Sequence, residues 1–153
     1  MAINMSKSII SVNNLCVDYI SNNSFLFPWE KTKVFRAIED ISFEISEGET
    51  LGIVGETGSG KSTIAKALIN ILKISSGNIL FQNKEISNLD ERNMRKYRKE
   101  IQMIFQDPLA SLNPRMNVGE IISEPLATHY PNLDNQEIKK QVKDIMENVG
   151  LLS

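Results

Sequence analysis

The residues with the plainest chemical purpose are Gly55, Glu56, Thr57, Gly58, Ser59, Gly60, Lys61, Ser62 and Thr63. Their order fits G-x-x-x-x-G-K-[ST], a loop that holds nucleotide phosphates. Glycine lets the backbone wrap closely, so that its N–H groups turn inward as a nest for an anion. A helix beginning near Lys61 adds unpaired N–H groups and the positive end of its dipole. In that nest Lys61 is the ammonium for the β- and γ-phosphates and Ser62 the hydroxyl for Mg²⁺. Thr63 offers an amide and a hydroxyl near the α-phosphate. The bland alternative is a glycine turn followed by an ordinary helix. The flanks argue against it: Thr50–Val54 reads as a short buried strand leading in, and Ile64, Ala65, Leu68, Ile69 and Leu72 as a helical apolar face leading out.

The remaining composition narrows the partners. The chain has 153 residues, 41% hydrophobic and 24% charged, which suits one modest globular domain. A net charge of -2 gives no electrostatic reason to expect nucleic-acid binding. Cys16 is the single cysteine, so no internal disulfide forms; on a strand it reads as a packing residue rather than a reactive thiol. His129 is the single histidine and reads as a surface residue, since no second histidine or spaced cysteines suggest a metal site. No run of about 18 apolar residues is present to span a bilayer. Met1–Lys7 lacks the apolar core of a secretion signal.

In chain order, Ile9–Tyr19 reads as a first strand whose phase changes at Asn13-Asn14, the mark of a bulge. Residues 20–33 interrupt the pattern. Pro28 excludes a central strand there, yet Phe25, Leu26, Phe27 and Trp29 crowd together. They read either as a hairpin insertion folded back on the sheet or as an exposed apolar patch meeting a partner or bilayer surface. Val34–Ile38 and Ile41–Ile45 are expected as two strands, with a turn at Ser46–Glu49. Ser75–Asn78 reads as a turn, Ile79–Phe81 as a strand and Gln82-Asn83-Lys84 as a tight turn. Asp90–Glu100, with Arg92, Arg95, Lys96, Arg98 and Lys99, reads as a solvated helix face rather than a nucleic-acid patch. Ile101–Phe105 is expected to be a strand, with Gln106-Asp107-Pro108 at its C-terminal end, where ligands sit in open α/β sheets. Asn113-Pro114-Arg115 is a loop. A short helix carries Val118, Ile121, Ile122 and Leu126 and ends before Pro131. Asp134–Glu137 has the pattern of a capping box, Ile138, Val142, Ile145, Met146 and Val149 make an apolar stripe, and Gly150 is placed to cap.

With these residues in view, the sequence resembles the ATP-binding subunits of ABC transporters over essentially its whole length. Leu15–Tyr19 resembles the segment whose aromatic ring stacks on adenine, which implies that role for Tyr19. Gly48–Thr63 is similar to the family's Walker A region, with Thr57 where serine is more usual. Ile104–Pro108 resembles the Q-loop, which implies that Gln106 approaches Mg²⁺ and the attacking water, a task a neutral amide can perform without burying another charge. The longer run from Gln106 to Arg115, and the insertion after Tyr19, resemble the oligopeptide, dipeptide and nickel importer branch.

The resemblance implies an α/β P-loop NTPase core with an N-terminal antiparallel β subsheet. Residues 1–153 would be the N-terminal part of a nucleotide-binding domain, with about 109–153 starting the helical subdomain. It implies ATP and Mg²⁺ as cofactors, with Lys61 and Gln106 as catalytic groups and Ser62 and Gln106 as metal ligands. The implied partners are transmembrane permease subunits, a second ATP-binding subunit and, indirectly, an extracytoplasmic solute-binding protein, at the cytoplasmic face of the membrane. The family's signature, Walker B, D-loop and switch-histidine segments do not occur before Ser153. Asp107 follows an apolar run, but Gln106 and Pro108 flank it wrongly for a Walker B aspartate. The expectation is a chain that binds ATP without efficient hydrolysis of its own, whose core sheet leaves an unpaired apolar edge.

Overall fold

The computed structural model describes residues 7–21 and 33–151. They divide into two compact units, Met1–Met103 and Ile104–Ser153. The insertion with Phe25, Leu26, Phe27 and Trp29 lies outside the described residues.

The first unit holds one antiparallel sheet of β1 (Ser8–Ser21), β2 (Lys33–Ser46), β3 (Ser76–Phe81) and β4 (Lys84–Glu85), in the order β2-β1-β3-β4. The bulge expected at Asn13-Asn14 is present: the β1–β2 register slips between Val12 and Leu15, and Asn14 takes φ 48°. Its partner irregularity is Asp40, at φ 50°. The Asn14 Nδ2 donates to Asp40 Oδ1 at 2.7 Å, tying the two left-handed residues together. For that reason Val34–Ile38 and Ile41–Ile45 are not two strands; β2 runs unbroken through Asp40. Ser76–Asn78 is likewise no turn but the start of β3. Gly77 has φ 87°, and a Cβ there would strike the carbonyls of Asn13 and Asn14. Gln82 and Asn83, at φ 49° and 63°, form a two-residue hairpin turn of the kind that suits strand twist.

Two expected strands lack partners. Thr50–Val54 and Ile101–Phe105 pair with no strand among the described residues. Apolar content alone does not make a strand; a neighbouring ladder must take up the N–H and C=O groups. Leu51, Ile53 and Val54 are exposed accordingly, as are Ile104 and Phe105.

The core lies between the sheet and α1 (Lys61–Leu68): Val12, Leu15, Val17, Ile38, Ile79 and Phe81 meet Ile64 and Ala67, with Ile86 and Met94 closing it. Helix α1 is shorter than the apolar spacing implied. Ile69 is its C-cap, Asn70 takes φ 56° and donates from Nδ2 to Leu89 O at 2.8 Å, so Leu72 falls beyond the helix. Cys16 is half-buried at the bulge, where Sγ accepts the Asp40 N–H at 3.3 Å, instead of joining the core. Helix α2 (Glu91–Met94) is capped by Asp90 and buries Met94, while Arg92, Arg95, Lys96 and Lys99 face solvent. Arg98 turns back and donates to Ile69 O, the end of α1, at 2.6 Å.

The second unit comprises a 3-10 turn (Leu109–Ser111), α3 (Val118–His129) and α4 (Asn135–Asn148). Asp134 and Glu137 form the expected capping box, and Asn117 with Glu120 forms a second that the sequence reading missed. Gly150, at φ 75°, closes α4: Gly150 N–H donates to Glu147 O and Leu151 N–H to Met146 O, at 3.1 and 2.8 Å. His129 sits half-exposed in the last turn of α3.

Candidate nucleotide site

The glycine loop is built as its sequence demands. The Ser46–Glu49 turn precedes it, with Gly48 at φ 74° and Glu49 N–H donating to Ser46 O at 3.1 Å. Gly58 and Gly60 then take φ 86° and 94°, with Ser59 between them at negative φ. Alternating handedness of this kind turns successive N–H groups toward one point. Gly60 is the N-cap of α1, no side chain caps that end, and no acidic residue lies in its first turn. The amides of Lys61, Ser62 and Thr63, first in the helix, have no acceptor within it. The end is therefore open to an anion, with a positive dipole behind it.

Two glycines are held by close approach. At Gly60 a Cβ would come within 2.5 Å of Ile38 Cδ1 and 3.1 Å of Ala37 O, so the loop rests directly on β2. At Gly55 a Cβ would meet Ser59 Oγ at 2.6 Å.

The Lys61 ammonium spends its three donors on oxygen. It reaches Gly55 O at 2.7 Å, Glu56 O at 2.6 Å and Ser59 Oγ at 3.4 Å. It is thus suspended over the loop's mouth, where phosphate oxygens would join or replace these acceptors. Ser62 is exposed beside it. Among the described residues no group of three or more His, Cys, Asp or Glu side chains could hold a metal by itself. A hard cation here would take the Ser62 hydroxyl plus oxygens of the bound phosphates, the usual arrangement for Mg²⁺. The donor set fits MgATP.

Tyr19 ends the run of β1 that faces α1. Tyr19 is 42% exposed, and its Oη lies 3.3 Å from Oγ1 of the buried Thr63. Thr63's hydroxyl is therefore engaged with Tyr19, which sequence reasoning did not anticipate. Behind Tyr19, on the opposite sheet face, Arg36 Nε donates to Asp18 Oδ1 at 2.9 Å. The hydrogen bond from Arg36 holds the Asp18 carboxyl below its ordinary range, against a smaller opposing effect of burial and with further help from the Ser75 hydroxyl.

Gln106 belongs to the second unit and is exposed. The neighbouring Asp107 Oδ1 accepts the Ala110 N–H at 3.2 Å, which makes it a cap for the 3-10 turn. Tyr19, the glycine loop, Lys61, Ser62 and Thr63 are brought together in the first unit.

A glycine-loop helix beside an antiparallel sheet, with this loop geometry, defines a P-loop nucleotide-binding protein. The family model described as "ABC transporter" matches residues 38–153, and the chain belongs to that family. The oligopeptide transport ATP-binding protein OppF of Haemophilus influenzae is 47% identical over 150 residues, spanning 97% of this chain and 45% of that protein. OppF of Escherichia coli is 43% identical over 146 residues, spanning 95% and 44%. The chain thus spans less than half the length of these relatives. Among solved structures, the dimeric bacterial ABC transporter cassette MJ0796 superposes with a TM-score of 0.77 at 24% identity, covering 94% of this chain and 58% of that one. CbiO1 of Clostridium perfringens, part of the ABC transporter complex CbiONQ, gives 0.68 at 31% identity, covering 95% and 51%. The α/β cassette fold is the one the sequence implies.

Proposed function

We propose that this chain binds MgATP as the nucleotide-gripping part of the ATP-binding subunit of an oligopeptide importer. The observation that carries the proposal is the Lys61 ammonium, held by three loop oxygens over an uncapped helix N-terminus. The names of the relatives in Haemophilus influenzae and Escherichia coli support the oligopeptide assignment.

In this reading the loop amides, Lys61 and Ser62 take the triphosphate and its metal, and Tyr19 takes the base. The bound Mg²⁺ would neutralise charge on the β- and γ-phosphates. Gln106 would join the metal and the attacking water in the whole subunit. Hydrolysis, with a second ATP-binding subunit as partner, would drive permease subunits fed by a solute-binding protein. Through those permease subunits the ATP-binding subunit would sit peripherally at the cytoplasmic face of the membrane; no helix among the described residues is long and apolar enough to cross it.

A second reading assigns this chain binding without turnover. Calorimetric titration with MgATP, run beside a phosphate-release assay, tests both. Saturable binding that Lys61→Ala weakens about 10- to 100-fold supports the site, the loss expected for hydrogen bonds to charged groups. Equal binding by the variant would overturn it, and robust phosphate release would overturn the second reading.

A further inference from the structure

One face of the β1–β2 ribbon carries three successive cross-strand pairs: Leu15 with Ile41, Val17 with Ile38, and Tyr19 with Phe35. Leu15, Val17 and Ile38 are buried beneath α1 and the glycine loop. The register slips by one residue between Val17 and Asp18, so Ala37 is the extra residue of β2 and Phe35 falls on the same face as Ile38. The alternation checks independently, because Asp18 and Arg36, the intervening pair, meet on the opposite face in an ion pair of 2.9 Å. The third pair emerges from under the helix: Tyr19 is 42% exposed and Phe35 67%.

Directly opposed residues of an antiparallel pair stand about 5 Å apart at Cβ, so the two side chains adjoin. Tyr19 Oη points to Thr63, in the first turn of α1, so the pair lies beside the phosphate-binding end of the helix. Among the described residues no packing role explains an exposed phenylalanine on this face. We infer that Phe35 is a specificity-determining residue, extending the Tyr19 ring into an apolar platform wide enough for a two-ring purine base. The inference rests on the MgATP reading above, and adds a residue to it. A flat aromatic face stacks on any base, but the wider purine gains more from a second ring than a pyrimidine does.

Phe35→Ala in the full chain tests this, with ATP, CTP and inorganic tripolyphosphate as ligands, each with Mg²⁺. Circular dichroism establishes that the variant is folded, and Phe35→Trp serves as the variant that keeps a flat face. The expected result is a loss of ATP affinity of about 5-fold or more, a smaller loss for CTP and none for tripolyphosphate. Phe35→Trp should keep the wild-type ATP preference. Unchanged ATP affinity in Phe35→Ala would overturn the inference while leaving the phosphate site intact. An equal loss for all three ligands would also overturn it, by showing that Phe35 only supports the fold. Failure of the wild-type chain to bind either ATP or tripolyphosphate would instead remove the phosphate site, and the platform with it.

Discussion

Tyr19 Oη and Thr63 Oγ1 lie 3.3 Å apart, joining the end of β1 to the first turn of the glycine-loop helix across 44 residues of chain. The contact gives Tyr19 two separable duties: its hydroxyl braces α1, and its exposed ring offers a face to a base. Tyr19→Phe removes the first alone. It should lower stability by about 0.5–1.5 kcal/mol, the net value of a part-buried hydrogen bond, and leave ATP affinity within about twofold. Tyr19→Ala should weaken ATP by about 5- to 100-fold while sparing tripolyphosphate. Urea titration and calorimetry read the two effects. A Tyr19→Phe variant as defective in ATP binding as Tyr19→Ala would assign the effect to the hydroxyl.

Gly60 joins conformation and packing at one atom. Its φ of 94° disfavours any side chain, and a Cβ would press on Ile38 Cδ1 at 2.5 Å. Gly60→Ala should cost about 2–4 kcal/mol from backbone strain and overpacking together. Ile38→Val removes the Cδ1 methyl at an expense of about 0.5–1.5 kcal/mol by itself. If the close approach matters, the double variant is more stable than the two losses added, and thermal melts of all four proteins measure the coupling. Strict additivity would leave backbone strain as the whole cause.

What was legible in the sequence was whatever local rules determine. The start of α1 at Lys61, the bulge at Asn13-Asn14, the Asp134–Glu137 box and the Gly150 cap all stand in the structure, because each is settled within a few residues. Elements that depend on distant partners were not legible. Thr50–Val54 and Ile101–Phe105 have strand composition and no strand neighbour. Val34–Ile38 and Ile41–Ile45 have the pattern of two strands, and only the bond from Asn14, 26 residues from Asp40, explains why β2 runs through both. The site divides the same way. The phosphate nest was readable from its glycines, whereas the Tyr19–Thr63 contact and the Tyr19–Phe35 pairing required the β1–β2 register. The same holds for Ile74 and Asn88, where no turn rule signals the bond.

Asn88 stands in for a strand. Its Oδ1 accepts the Ile74 N–H at 2.9 Å and its Nδ2 donates to Ile74 O at 3.2 Å, satisfying both main-chain groups of a buried residue. Asn88→Ala strands those groups and should cost about 1–3 kcal/mol. Asn88→Asp keeps the acceptor and loses the donor, so it should fall between. Amide hydrogen exchange at Ile74 is the direct reading: protection should drop in Asn88→Ala and be largely kept in Asn88→Asp. Equal protection in all three proteins would mean another group shields that amide.

The Asp18–Arg36 pair makes a prediction with a definite sign. Arg36 holds the folded Asp18 carboxyl below the ordinary value of 3.8, so the folded state binds that proton less readily than the unfolded chain. The stabilisation is fully present above the unfolded value and is lost as pH falls through the lowered folded one. Stability should therefore decline from about pH 5 toward about pH 2, with Asp18 contributing part of the slope. Asp18→Asn removes the titrating group and should flatten the urea midpoint against pH in that window, with little change in slope near neutrality. Because Arg36 is half-exposed, salt should weaken the pair, and the wild-type and Asp18→Asn midpoints should converge as ionic strength rises. A slope between about pH 5 and pH 2 that is identical in the two proteins would show that the proton linkage lies with other carboxylates.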